Sequence, residues 1–115
     1  MKKNQCLLLA SALLCGLTTG AAETEPDFSH ETWNDLLTRF VNLSADGTAS
    51  RVDYEGFAES RQKLATYLNE LASVSKVDFD RWSEDEQLAF LINAYNAWTV
   101  ELILERYPGI ESIRD

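Results

Sequence analysis

The sequence predicts a mainly α-helical protein with three helices, at about residues 29–43, 54–74 and 83–107. Apolar residues recur at intervals of three and four through these segments, as expected for helices with a buried face. Turn-forming residues separate the segments from one another. A length of 115 residues limits the chain to one domain, and a hydrophobic content of 45% is too high for a disordered acidic tail.

The N-terminal segment has the pattern of a bacterial secretory signal peptide, residues 1–22. Lys2 and Lys3 precede a short apolar run, and the small residues Gly20 and Ala22 stand before the first acidic residue. The run is too short to span a bilayer. We therefore predict cleavage near Ala22, a short acidic leader at 23–28, no membrane span after cleavage, and a periplasmic or secreted protein.

Removal of the signal peptide changes the chemistry that the chain can offer. Both cysteines, Cys6 and Cys15, lie in the segment to be removed, so the mature chain has no disulfide and no thiol of its own. The segment also carries two lysines and no acidic residue, so its loss moves the formal charge from −9 to −11. Such a charge argues against nucleic acid or an anionic membrane surface as the main partner.

The first two helices are predicted to be amphipathic. In the first, Ser29 is the expected N-cap, and the apolar stripe consists of Trp33, Leu36, Leu37, Phe40 and Val41. Asp46-Gly47 marks a turn after it, and residues 52–54 are predicted to be briefly extended. The second helix places Phe57, Leu64, Leu68 and Leu71 at helical spacing.

The third helix has the clearest start signal in the chain. Ser83 and Glu86 form an S-x-x-E capping box, and Pro108-Gly109 is expected to end the helix. Apolar residues between these limits point in nearly every direction around the axis, which is typical of a helix inside a core. Two amphipathic helices can cover only part of such a helix. The sequence therefore predicts an exposed apolar surface and self-association through it.

Several short motifs together resemble the first half of a bacterial, exported member of the domain-of-unknown-function family 547. These motifs are Phe28-Ser-His30-Glu-Thr-Trp33, Val52-Asp53-Tyr54, Asp85-Glu86-Gln87-Leu88-Ala89-Phe90, Asn93-Ala-Tyr95-Asn96-Ala97, Tyr107-Pro108, Ser112-Ile113 and Asp115. The resemblance covers residues 29–115 and implies that they are the incomplete helical half of a larger α+β domain. It also implies a downstream region with a His and a Cys near a Ser-Cys-Pro-like segment. The family has no settled biochemical activity.

The turn after the first helix has the spacing of an EF-hand calcium loop. Its potential ligands are Asn42, Ser44, Asp46, Thr48 and Asp53, with Gly47 at the sharp bend. The first position lacks a carboxylate, however, and Asp53 is shorter than the glutamate that normally gives two oxygens to the ion. With only two carboxylates in the loop, we predict an ordinary polar turn, no metal site and no cofactor.

Other polar groups also have simple structural interpretations. His30 is predicted to be a surface histidine at a helix N-terminus, since no triad partner can be read from adjacent positions. The acidic residues around the start of the third helix are predicted to be solvated charges that favour the helix dipole: Asp78, Asp80, Glu84, Asp85 and Glu86.

The pair Asn93 and Asn96 is the best candidate for a functional site. Both amides are expected to face inward on the most apolar helix, where an unpaired buried amide costs about 1–3 kcal/mol. They either bond to the fold itself or line a pocket completed by another segment, together with Tyr95, Asp53 and Tyr54.

Two hypotheses of function remain open. In the first, the chain is part of a periplasmic, thiol-dependent enzyme domain. In the second, it is a non-catalytic envelope module that binds a small molecule or another envelope protein, and the asparagines are architectural. A Cys and a His downstream would favour the first hypothesis, and their absence would favour the second.

Overall fold

The computed structural model of the chain describes residues 28–111, and these residues are mainly helical, as predicted. The elements in chain order are α1 (Glu31–Phe40), β1 (Val41–Leu43), β2 (Ser50–Val52), α2 (Tyr54–Glu59), α3 (Arg61–Ser73), α4 (Lys76–Phe79) and α5 (Glu84–Leu104). The predicted signal peptide, residues 1–22, lies outside the described residues, as does nearly all of the acidic leader.

The core forms where α1, α2, α3 and α5 pack together. It consists of Trp33, Leu36, Phe57, Leu64, Tyr67, Leu68, Leu71, Ala97, Val100 and Leu104. The rings of Trp33 and Tyr67 are nearly parallel, with centroids 5.7 Å apart, and this stack joins α1 to α3. The predicted apolar stripes of the first two helices contain six of these ten residues, whereas Tyr67 and Ala97 are core residues that the spacing did not predict.

The first helix ends at Phe40, so the predicted boundary at residue 43 is wrong. Residues 41–43 instead pair with residues 50–52 in an antiparallel hairpin, in which Val41 lies opposite Val52. The pairing begins beside the helix end, where the amide of Asp53 donates to the carbonyl of Phe40 at 2.7 Å. Gly47 lies in the connecting loop with a φ of 70°, which glycine adopts without strain. The turn around Gly47 allows residues 41–43 to pair with residues 50–52, so Val41 belongs to a strand and not to α1.

The second predicted helix is interrupted at Ser60. The backbone there has φ −99° and ψ 17°, and this residue ends α2 and begins α3. Within α2, Gly56 is buried because the Phe40 ring lies directly against it. A Cβ atom at this position would meet the Phe40 ring and the carboxylate of Asp53. The absence of a side chain at Gly56 therefore allows α1 and α2 to approach each other closely.

The predicted capping box at the start of α5 is confirmed. The amide of Ser83 donates to the Glu86 carboxylate at 2.9 Å, and the amide of Glu86 donates to the Ser83 hydroxyl at 3.3 Å. The helix ends at Leu104, three residues before the predicted boundary, and turns lead from it to Pro108. A separate short helix, α4, precedes α5 and was not predicted.

The two sides of α5 have opposite environments. One side contributes Ala97, Val100 and Leu104 to the core. The other side leaves large apolar side chains at least half exposed: Leu88, Leu91, Ile92, Tyr95, Trp98 and Leu102. The prediction that α5 has more apolar surface than the other helices can cover is confirmed for the part of the chain that the structure describes. Within that same part, no helix has the length and apolar character that a membrane span requires.

A substitution at Gly56 tests the close approach of α1 and α2. We expect Gly56→Ala to lower the free energy of unfolding by about 1–3 kcal/mol, because the new methyl group must displace the Phe40 ring. Urea denaturation would measure the change. Glu59→Ala, at the exposed end of the same helix, is the matched control and should shift stability by less than about 0.5 kcal/mol. Equal stability of the Gly56→Ala variant and the parent chain would contradict this packing.

Candidate functional site

The five predicted pocket residues are not brought together into one pocket. Asp53 and Tyr54 lie beside the hairpin and line a shallow cleft of about 390 Å³, which also includes Tyr107. Asn93, Tyr95 and Asn96 lie in the middle of α5, outside that cleft. The residues therefore form two separate groups.

Asp53 has a structural role at the edge of its cleft. It is the N-cap of α2, and its carboxylate accepts a hydrogen bond from the amide of Gly56 at 3.0 Å. The neighbouring ring of Tyr54 lies 6.4 Å from the ring of Tyr107, which follows the end of α5. The cleft thus joins the start of α2 to the segment after α5.

The expectation that Asn93 and Asn96 both face inward is wrong. Asn93 is partly buried, and Asn96 is exposed. Neither side-chain amide forms a hydrogen bond with another of the residues 28–111. The physical reason is geometric: the helix positions of the two residues differ by about 60° around the axis, so Asn96 falls beside the open side of α5 while Asn93 falls beside the core. Both amides therefore retain their hydrogen-bonding capacity.

The exposed side of α5 carries six of the nine large apolar side chains that are exposed among residues 28–111. We call it the apolar stripe and define it as Leu88, Leu91, Ile92, Tyr95, Trp98 and Leu102, each at least half exposed. Tyr95 is the most exposed of them, at 74%. No acidic or basic residue interrupts the stripe between residues 88 and 100. Soluble proteins rarely leave a contiguous patch of this kind uncovered, and such patches mark surfaces that bind other molecules.

His30 lies at the N-terminus of α1, as predicted, and is its N-cap in place of the expected Ser29, but it is not an ordinary surface residue. Its ring is partly buried, and its Nδ1 lies 2.7 Å from the hydroxyl of Tyr67, which is fully buried on α3. Phe28 and Phe90 pack beside the ring, with centroids 4.9 Å and 6.4 Å from it. His30 thus belongs to an aromatic cluster that fastens the start of the described chain to α3 and α5.

Sequence reasoning missed this cluster because its members come from four separate segments. Phe28 also contacts Trp82, and Phe79 contacts both Trp82 and Phe90. The sequence signal that could have indicated the cluster is the presence of aromatic residues just before α1 and between α3 and α5, namely Phe28, Phe79 and Trp82. A larger cleft of about 690 Å³ adjoins the cluster and is bordered by Glu31, Glu70, Asp78 and Arg81, among others.

Burial shifts the titration of both partners in the hydrogen bond. It lowers the pKa of His30, because a charged imidazolium would lose hydration among the rings. It raises the pKa of Tyr67, and the negative charge of Glu70 acts in the same direction. Near neutral pH the pair is therefore uncharged, and a hydrogen bond joins Nδ1 of the neutral imidazole to the Tyr67 hydroxyl.

The loop that resembles an EF-hand is built as a polar hairpin turn. One oxygen of Asp46 accepts from the hydroxyls of Ser44 and Thr48, at 2.6 Å and 2.9 Å, and from the Thr48 amide. These bonds lower the pKa of Asp46 to about 2. Asp53, the other carboxylate of the loop, caps α2. Both carboxylates of the loop therefore accept hydrogen bonds from the protein itself: Asp46 stabilises the turn, and Asp53 caps α2.

The acidic residues before and within the first turn of α5 have local partners or face solvent. Ser75 donates to Asp78 at 2.6 Å, and Lys76 forms an ion pair with Asp80 at 2.5 Å. Among residues 28–111, no group of three or more potential ligands is arranged to hold a metal ion.

One comparison with known proteins gives a result. A family model described as "Protein of unknown function, DUF547" matches residues 79–113. This match supports placing the chain in the DUF547 family. The matched residues include all of α5, with its Asn93-Ala-Tyr95-Asn96-Ala97 run, while the motifs at 28–33 and 52–54 lie outside them. No curated protein and no solved structure matches the chain.

The partly buried histidine predicts a defined pH dependence of stability. Because the pKa of His30 is lowered in the folded state, the unfolded chain binds a proton more readily, with a pKa of about 6.5. We expect the free energy of unfolding to fall as the pH drops below about 7 and to level off once the folded state is also protonated. Urea denaturation between about pH 7.5 and pH 5 would measure this change.

The control exploits the fact that His30 is the only histidine. His30→Gln should remove this part of the pH dependence and leave only the contribution of the carboxylates. Identical pH profiles for the parent chain and the His30→Gln variant would contradict the buried environment of the ring.

Proposed function

We propose that this chain is an exported bacterial protein, periplasmic or secreted, that acts as a helical binding module. Its binding surface is the apolar stripe of α5, which a second polypeptide surface covers in the working protein. The observation that supports the proposal is the uninterrupted exposure of six large apolar side chains on a helix whose opposite side is buried.

The energetics favour covering the stripe. Burial of a large apolar side chain stabilises a complex by about 1.5–3 kcal/mol when the side chain starts fully exposed, and the stripe residues start at least half exposed. Their combined burial can therefore offset the cost of bringing two surfaces together. Asn96 lies one residue beyond Tyr95 and adds an unbonded amide beside the stripe, which can give direction to an otherwise apolar contact.

A second candidate function is a thiol-dependent enzyme, of which this chain forms the N-terminal, helical part. The unbonded amides of Asn93 and Asn96 favour this candidate, because a polypeptide that covers α5 would bring its own groups next to them and to Tyr95. The mature chain has no cysteine, so the reactive thiol and its histidine would belong to the covering segment, as the family resemblance implies. Asp53 and Tyr54 would then line a separate cleft rather than the same site.

The two candidates differ in their response to thiol modification. Binding through the stripe alone is unaffected by iodoacetamide, whereas an enzyme with a catalytic thiol is inactivated by it. The binding module is preferred because the exposed apolar stripe supports it directly.

Export gives the first prediction of the proposed function. We expect protein recovered from the periplasm or the medium to lack residues 1–22, because the lysines, the apolar run and the small residues before Glu23 form a complete cleavage signal. Intact-mass spectrometry would measure the N-terminus. A periplasmic species that retains Met1 would contradict cleavage, and recovery from the cytoplasm alone would contradict export.

Dye binding tests the stripe itself. At high dilution, we expect the exported chain to increase the fluorescence of an apolar dye, and Leu91→Glu should weaken this effect by placing a charge within the stripe. Val77→Glu is the matched control, since Val77 is an exposed apolar residue on a different helix. Absence of dye binding, or equal loss in both variants, would contradict the proposed binding surface.

A further inference from the structure

The apolar stripe has the spacing of a helix-pairing seam. Five of its six residues, Leu88, Leu91, Tyr95, Trp98 and Leu102, follow one another at alternating intervals of three and four. This is the a and d pattern by which one helix packs along another, with each side chain inserted between side chains of the partner. The seam extends for about 21 Å and is one helix wide. Its shape therefore fits a helix better than it fits a sheet.

We propose that the stripe pairs with the same stripe on a second copy of this chain, forming an antiparallel dimer. The inference rests on the proposed function, because it names the partner that covers the binding surface. The second copy is a suitable occupant because it presents a helix of the same length and pattern.

The antiparallel arrangement gives four apolar layers, and at each end of the seam Leu88 of one copy lies opposite Glu105 of the other. Tyr95 of each copy meets Trp98 of the other in the two central layers, and Leu91 meets Leu102 in the two outer layers. Each layer joins an a position to a d position, which is the pairing that antiparallel helices use. The aromatic pairs lie next to the two-fold axis, where an interface is driest and where Trp and Tyr contribute most to binding.

Charges at the start of α5 and just beyond its last residue favour the antiparallel orientation. In that arrangement Asp85 of one copy lies beside Arg106 of the other, on the flank of the seam. Glu84 and Glu105 occupy the d positions beyond the two ends of the seam. In a parallel arrangement, each of them would face the same glutamate of the other copy, and the like charges would repel. The helix dipoles also attract when the helices are antiparallel, since the positive N-terminus of one helix meets the negative C-terminus of the other.

The size of the stripe and the net charge set the expected strength of association. Six large side chains that are at least half exposed present several hundred Å² per copy, which approaches the area of about 800 Å² per partner in standard interfaces. The formal charge of −11 that residues 23–115 retain makes two copies repel one another. We therefore expect a reversible dimer that becomes tighter as ionic strength rises.

Sedimentation equilibrium of the exported chain tests the dimer. We expect a concentration-dependent dimer, and Tyr95→Glu should weaken the association more than about tenfold because it buries a charge next to the two-fold axis. Val77→Glu adds the same charge at an exposed apolar position outside the stripe and should leave the association within about twofold of the parent. Circular dichroism of each variant checks that the helices are intact.

Disulfide trapping tests the orientation, because residues 23–115 contain no cysteine of their own. One preparation carries Asp85→Cys and a second carries Arg106→Cys. An antiparallel dimer predicts a disulfide between the two preparations when they are mixed and oxidised, in preference to disulfides within either preparation alone. Preferred disulfides between two copies of the same variant would overturn the antiparallel arrangement.

The remaining outcomes separate this inference from the proposed function. A chain that stays monomeric at all concentrations and ionic strengths would overturn the dimer, yet dye binding by that monomer would still support the stripe as a binding surface for another polypeptide. A monomer that binds no dye would overturn both. A dimer that Tyr95→Glu leaves unchanged would overturn the stripe as its interface.

Discussion

The packing of one side of α5 against α3 and α2 is the interaction on which the rest of the structure depends. Ala97, Val100 and Leu104 supply the surface on which the shorter helices pack, and the Trp33–Tyr67 stack then joins α1 to α3. Arg61, at the start of α3, pairs with Glu101 of α5 at 2.6 Å and links the two helices. Disruption of this side would leave the remaining helices too short to be stable alone.

The same helix explains why the chain offers a binding surface. Its sequence is apolar on all sides, but the neighbouring helices reach only one of them, so the other remains open to solvent. Covering this second side removes apolar surface from water and therefore stabilises the helix further. The fold and the proposed function therefore have one physical origin, which is an excess of apolar surface on a well-capped helix.

Much of the fold could be predicted from the sequence because the signals were local or periodic. The capping box at Ser83 depends on two residues that are three positions apart, and the core positions of α1 and α3 follow the helical repeat. The hairpin was missed because Val41 continues the apolar spacing of α1, and only its pairing with Val52 assigns it to a strand.

The candidate site was harder to predict because it depends on contacts between distant segments. His30 and Tyr67 are 37 positions apart, so no spacing rule connects them. The asparagines were placed inside because α5 is so apolar, yet the exposed environment of Asn96 follows from the absence of a neighbour on that side. What covers a helix cannot be read from the helix alone.

Hydroxyl-radical footprinting of the exported chain at high dilution tests the central claim, that α5 has one closed and one open side. The account predicts rapid labelling of Tyr95 and Trp98, which are exposed, and strong protection of Trp33 and Tyr67, which are buried. Tyr95 is compared with Tyr67, and Trp98 with Trp33. Residues of the same type have similar intrinsic reactivity toward hydroxyl radicals, so the difference in labelling reports the difference in exposure. Protection of Tyr95 and Trp98 equal to that of Tyr67 and Trp33 in the dilute monomer would contradict the account.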